Sequence, residues 1–240
     1  MNGALAVAKR LLLSLRGDRR TLALVVFVPA FIIYLFSEVF PTGETARVAP
    51  ALLGVIVFVL TYLLTAIGFL RERQTETLSR VKVSPISRYG IVVGYVLGFG
   101  VLATIQSLIL LGAGIHFLNV EFHHGVGLFF LIELLGALAG LGFGIVASLF
   151  AENEFQVQQF MPVVIGPQVI LGNTFVPVEE LVWYLEYPAR VMPVTYLVRA
   201  MDYVVLDAGS AGEFRVATGA LVLTVVVAVG LATLVVRRAR

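Results

Sequence analysis

Glu133 is the carboxylate with the strongest chemical promise in this 240-residue chain, because it sits inside the hydrophobic run 128–151 with Gly136, Gly140 and Gly144 at helical spacing from it. It shares the packing face of those glycines and is expected to point into protein. An ionisable group at such a position has two uses: it relays ions or protons through the protein interior, or it reaches back to the nearby surface or to a loop partner. His116, Glu121, His123 and His124 form a second polar group, in the short connection before that run. Neighbouring histidines in an extended loop point to opposite sides, so an interfacial loop is expected there and a metal centre is not. The chain has no Cys, which excludes disulfides, thiolate zinc sites and thiol catalysis. It also lacks G-x-x-x-x-G-K-[ST], H-E-x-x-H and G-x-S-x-G, so the usual sites for nucleotide phosphates, zinc hydrolysis and serine acyl transfer are missing. No cofactor is expected on this chain, and catalysis by it is not expected.

The remaining polar residues of the apolar runs suggest a passage. Thr61 and Thr65 are four residues apart, so their hydroxyls share a helical face, either bonding back to their own helix or lining a cavity. Gln168 and Asn173 lie in a run interrupted by Pro162, Gly166, Pro167 and Gly172. Broken helices survive at membrane depth only where protein or a water-filled cavity satisfies the freed backbone groups, so this segment either faces a pathway or packs as a kinked helix.

The elements that position these groups are membrane spans. Hydrophobic residues make up 59% of the chain and charged residues only 13%, beyond the range of an ordinary globular domain. A bilayer core about 30 Å thick requires about 20 apolar residues per helix. The sequence supplies six such segments, near 21–37, 50–70, 89–115, 128–151, 159–176 and 216–236, in one all-α domain over 1–240. Before them, residues 1–20 hold an amphipathic helix with Leu5, Ala8, Leu11, Leu12 and Leu15 on one face and Lys9, Arg10 and Arg16 elsewhere, expected to lie at the interface and to be retained. The segment 38–49 is expected as an outer loop, and Gly94 with Gly98 as a close helix contact. Residues 182–206 tempt as a further span, but Arg190 and Arg199 sit near the middle and Pro188 and Pro193 break the ladder, so short outer helices are expected within 177–215.

The stretch 71–88, RERQTETLSRVKVSPISR, carries five of the seventeen Lys and Arg residues. Its run 71–83 has helix formers and no Gly or Pro, so the second span is expected to continue past the lipid and turn along the surface, with Ser84-Pro85 ending it and suiting the start of the next helix. With both termini and this loop inside, thirteen basic residues are cytoplasmic and four (Arg47, Arg190, Arg199, Arg215) are outside, as the positive-inside bias requires. The loop 152–156 carries no Lys or Arg and is placed inside by alternation of the spans.

Three motifs then converge. Arg71-Glu72-Arg73 with Thr77-Leu78 and Ser84-Pro85-Ile86-Ser87, the loop Ala151-Glu152-Asn153-Glu154 with Gln156, and Gly172, Phe175, Pro177, Leu181, Trp183, Leu185 with Met192-Pro193-Val194-Thr195-Tyr196 together resemble the signatures of ABC-2 type transporter permeases, in order and in register. The resemblance implies a permease half in the plasma membrane that pairs with a second permease, identical or not, and works as an exporter. It implies two separately encoded ATP-binding subunits, which would hold the ATP and Mg. It also implies that 71–88 is a coupling helix, whose contact with the ATPase falls to Arg71, Glu72, Arg73, Thr77, Leu78, Val81 and Pro85. Thr61, Thr65, Glu133, Gln168 and Asn173 are the candidates for lining the pathway. The rivals are an ion- or proton-coupled carrier or channel centred on Glu133, and a membrane enzyme using Glu133 with the outer-loop histidines.

Overall fold

A computed structural model describes residues 2–40, 42–75 and 87–238. Among these residues all regular structure is helical: α1 (Asn2–Gly17), α2 (Arg19–Val39), α3 (Thr42–Gln74), α4 (Arg88–Phe117), α5 (Val126–Phe150), α6 (Glu154–Val164), α7 (Gly166–Leu171), a 3₁₀ turn (Val178–Glu180), α8 (Trp183–Ala189), α9 (Pro193–Leu206) and α10 (Ala211–Arg238). Among the described residues four stretches are long and apolar enough to cross a membrane: Val48–Gln74, Tyr89–Phe117, Val126–Phe150 and Ala211–Leu234. Within α2 the apolar part, Val25–Val39, is shorter. The fifth expected span is divided at Ile165 into α6 and α7, as its Pro and Gly content requires, with Pro162 inside the first piece and Pro167 in the first turn of the second.

Local chemistry sets the helix starts. Ser87 Oγ accepts from Gly90 N at the start of α4, Asn153 Oδ1 accepts from Gln156 N at the start of α6, and Pro193 opens α9. Two expectations change here. The segment 38–49 is not mainly a loop, because α3 begins at Thr42 and takes in Pro50 as an interior residue. On α1 the packed face holds Ala8, Leu11, Leu12 and Leu15 as expected, with Val7 added, whereas Leu5 at the start of that face is exposed. This face meets α4: an added Cβ at Gly94 would lie 2.6 Å from Val7 Cβ and one at Gly98 2.7 Å from a Leu11 methyl, so these glycines admit α1. The expected close contact at Gly94 and Gly98 is thus made, with α1.

The central contact is α3 against α5. A Cβ at Gly140 would overlap the carbonyl oxygen of Phe58, and one at Gly144 would lie 2.6 Å from the carbonyl oxygen of Tyr62 and 3.0 Å from Ala66 N. The two helices therefore meet backbone to backbone. α9 plugs the same core from one end: Leu197 packs on Gly54 and Gly136, and Met201 on Gly54. Its 14 residues make a rod about 21 Å long, too short to cross the bilayer. Arg199 pairs with Glu179 and Arg190 with Glu186, so both arginines that argued against a span there are neutralised at the surface.

Backbone atoms cannot yield as a flexible side chain can. Gly140→Ala is therefore expected to destabilise by about 1–3 kcal/mol, whereas Gly219→Ala, with nothing within 4 Å of the added methyl, should be neutral or stabilising by up to about 1 kcal/mol. Thermal unfolding of the two variants in detergent checks this contrast.

Candidate coupling site at one end of the bundle

The helix α3 continues to Gln74, and its last turn is tied to four other elements. Glu72, 8% exposed, faces inward. Arg10 Nη2 of α1 donates to Glu72 Oε2 at 2.5 Å and to Tyr95 Oη of α4 at 2.9 Å, and Tyr95 Oη donates to Glu72 Oε2 at 2.7 Å. The guanidinium also lies 5.9 Å from the Tyr95 ring centroid. One turn of sequence thus joins α1, α3 and α4 through a closed triangle of charge-assisted bonds.

The flanking arginines face other partners. Arg71 Nε donates to Glu154 Oε1 at 2.6 Å and its Nη2 to Glu154 Oε2 at 3.2 Å, a bidentate pair, while Nη1 reaches Asp18 Oδ2 at 3.4 Å. The Arg71 guanidinium holds the Glu154 carboxyl below the usual carboxylate range. Arg73 Nη1 donates to the carbonyl oxygens of Ser148 and Ala151, where α5 has run out of helical donors. Gln74 Nε2 donates to Glu152 O at 2.8 Å. These bonds put the loop 151–154 at the same end of the bundle as residues 71–75, the side that alternation assigned to it.

Of the seven expected coupling residues, Arg71, Glu72 and Arg73 are brought together here, each engaged with groups of its own chain. Thr77, Leu78, Val81 and Pro85 lie outside the described residues, as does the Ser84-Pro85 helix boundary. Arg10, Tyr95, Asp18 and Glu154 complete the cluster and were not expected in it. Arg10 carried a faint signal, a cation on a helix with an apolar face, but its pairing across 62 positions of sequence had none.

The candidate pathway residues do not form one site. Thr61 Oγ1 donates to Gln106 Oε1 of α4 at 3.1 Å, across the bundle and not back to its own helix. Thr65 is buried beside Gly144, and its hydroxyl has no hydrogen-bond partner among the described residues. Glu133 is fully buried in the bundle, and both its oxygens lack a partner among the described residues. Gln168 Nε2 bonds the carbonyl of Val164 one turn back. Asn173 organises a turn at the opposite end: with φ at 64°, its Oδ1 accepts from Val178 N at 3.3 Å and its Nδ2 lies 3.5 Å from Asp202 Oδ2. His124, expected in an interfacial loop, bonds Asp207 at 2.7 Å and stacks on Tyr203.

Burial pushes the Asp202 carboxyl up from 3.8 to about 6, with Arg199 opposing. Its folded value lies above its unfolded one, so its contribution to stability is complete below about pH 4 and is lost as pH rises through about 6. Asp202→Asn should therefore be more stable than the wild type at pH 7.5, by on the order of 1–3 kcal/mol, and match it at pH 4. Thermal scans at the two pH values check this. For the triangle, Arg10→Met and Glu72→Gln are each expected to cost about 1–3 kcal/mol. The double variant should fall short of the sum by about 1–2 kcal/mol, read from a double-mutant cycle of unfolding free energies.

Residues 3–206 match the ABC-2 type transporter family. Over 149 residues the chain is 26% identical to the probable multidrug ABC transporter permease YbhR of Escherichia coli (strain K12), covering 62% of this chain and 40% of that protein. Over 159 residues it is 28% identical to ABC transporter G family member 20 of Dictyostelium discoideum, covering 66% of this chain and 22% of that protein. The chain therefore matches less than half the length of either relative. Described residues whose regular structure is all helical, four apolar helices of spanning length among them, and a family match that extends from α1 through α9, together establish that this membrane-embedded chain belongs to the ABC-2 type transporter family.

Proposed function

We propose that this chain is the membrane-spanning permease subunit of an ATP-driven exporter. Two permease subunits, identical or not, form the translocation pathway in the plasma membrane, and two separately encoded ATP-binding subunits drive it. In this reading the chain crosses the membrane six times, with α2 and the broken α6–α7 pair added to the four long apolar helices, and both termini are cytoplasmic. ATP and Mg belong to the partner. The observation that carries the proposal is the end of α3: one uninterrupted helix runs from the membrane to Gln74, and its last turn is bonded to α1, α4, α5 and α6. A push on the segment that follows is therefore delivered to several elements as one rigid-body displacement.

The roles within 71–88 divide accordingly. Glu72, Arg71 and Arg73 hold the lever to the bundle, and Thr77, Leu78, Val81 and Pro85 meet the ATP-binding subunit. A second reading, proton- or ion-coupled transport, draws support from Glu133, a carboxyl enclosed in the bundle without a partner among the described residues.

The chain purified in mild detergent is expected to bring an ATP-hydrolysing subunit with it. Leu78→Asp combined with Ser79→Lys should uncouple ATP hydrolysis from transport while membrane insertion stays normal; unchanged transport would overturn the coupling role. Glu133→Gln separates the two readings, since a proton-coupled carrier loses its pH-driven transport and an ATP-driven permease is only weakened.

A further inference from the structure

A cavity of about 340 Å³ lies among α1, α2, α3 and α4, on the flank of the clamp that Arg71, Glu72 and Arg73 make at the end of α3. Leu11, Val25, Val28, Leu60, Leu64 and Ile67 wall it, Ser14, Asp18, Arg71 and Glu72 rim one end, and Gln106 lies at the other. Along α3 the lining runs from Leu60 to Glu72, about 18 Å at 1.5 Å per residue. That is close to half of the roughly 30 Å hydrocarbon core, the depth of one leaflet. The rim sits at the end of the bundle where the basic residues gather, and Gln106 sits midway along α4.

Water is a poor occupant. It requires two to four polar partners at each position, and away from the rim only Gln106 offers any, with its Oε1 already accepting from Thr61. Hydrocarbon has no such requirement, and an empty apolar space loses the dispersion contacts on every wall. The rim is suited to a zwitterionic headgroup: it presents a guanidinium, a hydroxyl and two carboxylates together, Glu72 being already bonded to Arg10, and the Arg71 to Asp18 contact, at 3.4 Å, is the longest of the three side-chain bonds Arg71 makes. A phosphate can replace Asp18 on Arg71 Nη1 without disturbing the bidentate pair with Glu154.

We infer that this cavity is a lipid site, holding one acyl chain of a zwitterionic membrane phospholipid whose headgroup rests on Ser14, Asp18 and Arg71. The chain fills the gap between α2 and α3 beside the clamp, inside a single subunit. The site does not depend on the transport reading, because occupancy can be measured with no nucleotide and no cargo.

The experiment uses the full chain in vesicles of phosphatidylethanolamine and phosphatidylcholine containing a phosphatidylethanolamine with a photoreactive diazirine midway along its acyl chain. After irradiation, labelled peptides are mapped. Peptides covering 11–28 and 60–71 are expected to carry at least threefold more label than those covering 222–231, where α10 exposes Val222, Leu223, Val226, Val227 and Leu231. Leu64→Trp, which fills the cavity, should lower the first labelling at least threefold and leave the second unchanged. Val28→Trp fills it from the opposite wall and serves where Leu64→Trp does not fold. Equal labelling of both regions, or labelling of 60–71 that persists in a folded filling variant, overturns the assignment.

Discussion

The architecture depends on the approach of α3 and α5 to backbone contact. At Gly140 and Gly144 there is no room for a side chain, so the two helices lie closer than any pair of larger residues permits. In a membrane, lipid gives helices little hydrophobic reason to associate, and such close van der Waals packing becomes the main source of cohesion. It has a geometric consequence as well: α3 cannot slide or roll independently of α5, so the end of α3 is a fixed point. The clamp of Arg71, Glu72 and Arg73 is built on that fixed point.

The charged groups follow the gradient of dielectric across the molecule. At the end of α3 every acid of the clamp faces a guanidinium, and Arg73 satisfies carbonyls that the end of α5 leaves open. At the opposite end, Arg199 and Arg190 pair with Glu179 and Glu186 at the surface. Between the two ends the polar groups are few and mostly neutral. Thr61 and Gln106 satisfy one another there, and Glu133 is the exception, a carboxyl with no partner among the described residues. The polar contacts at the two ends are therefore of different kinds: one end is a network linking five helices, the other a set of local pairs around short helices and turns.

The cavity on the flank of the clamp gives that network a neighbour. Its walls belong to α1, α2 and α3, and its rim shares Arg71 with the bonds to Glu154 and Asp18. What fills the cavity touches the same helix that the proposed coupling segment continues.

Much of the architecture was legible from one-dimensional chemistry. Apolar length gave the four long helices, because crossing hydrocarbon demands about 20 residues whatever surrounds them. Pro and Gly predicted the break between α6 and α7, and arginines and prolines predicted short helices in place of a span over 182–206, since backbone restrictions and charge burial are local penalties. The small residues at 94, 98, 136, 140 and 144 marked close contacts, but not with whom. Only the tertiary structure decided that Gly94 and Gly98 receive α1, that this turns Arg10 inward, and that Glu72 is thereby committed to its own chain. Those outcomes depend on residues far apart in sequence meeting at a few ångströms, and no periodicity encodes such a meeting. For the same reason Thr61, Thr65, Glu133, Gln168 and Asn173 could be recognised as unusual from their polarity, while their distribution over separate surroundings was set by packing alone.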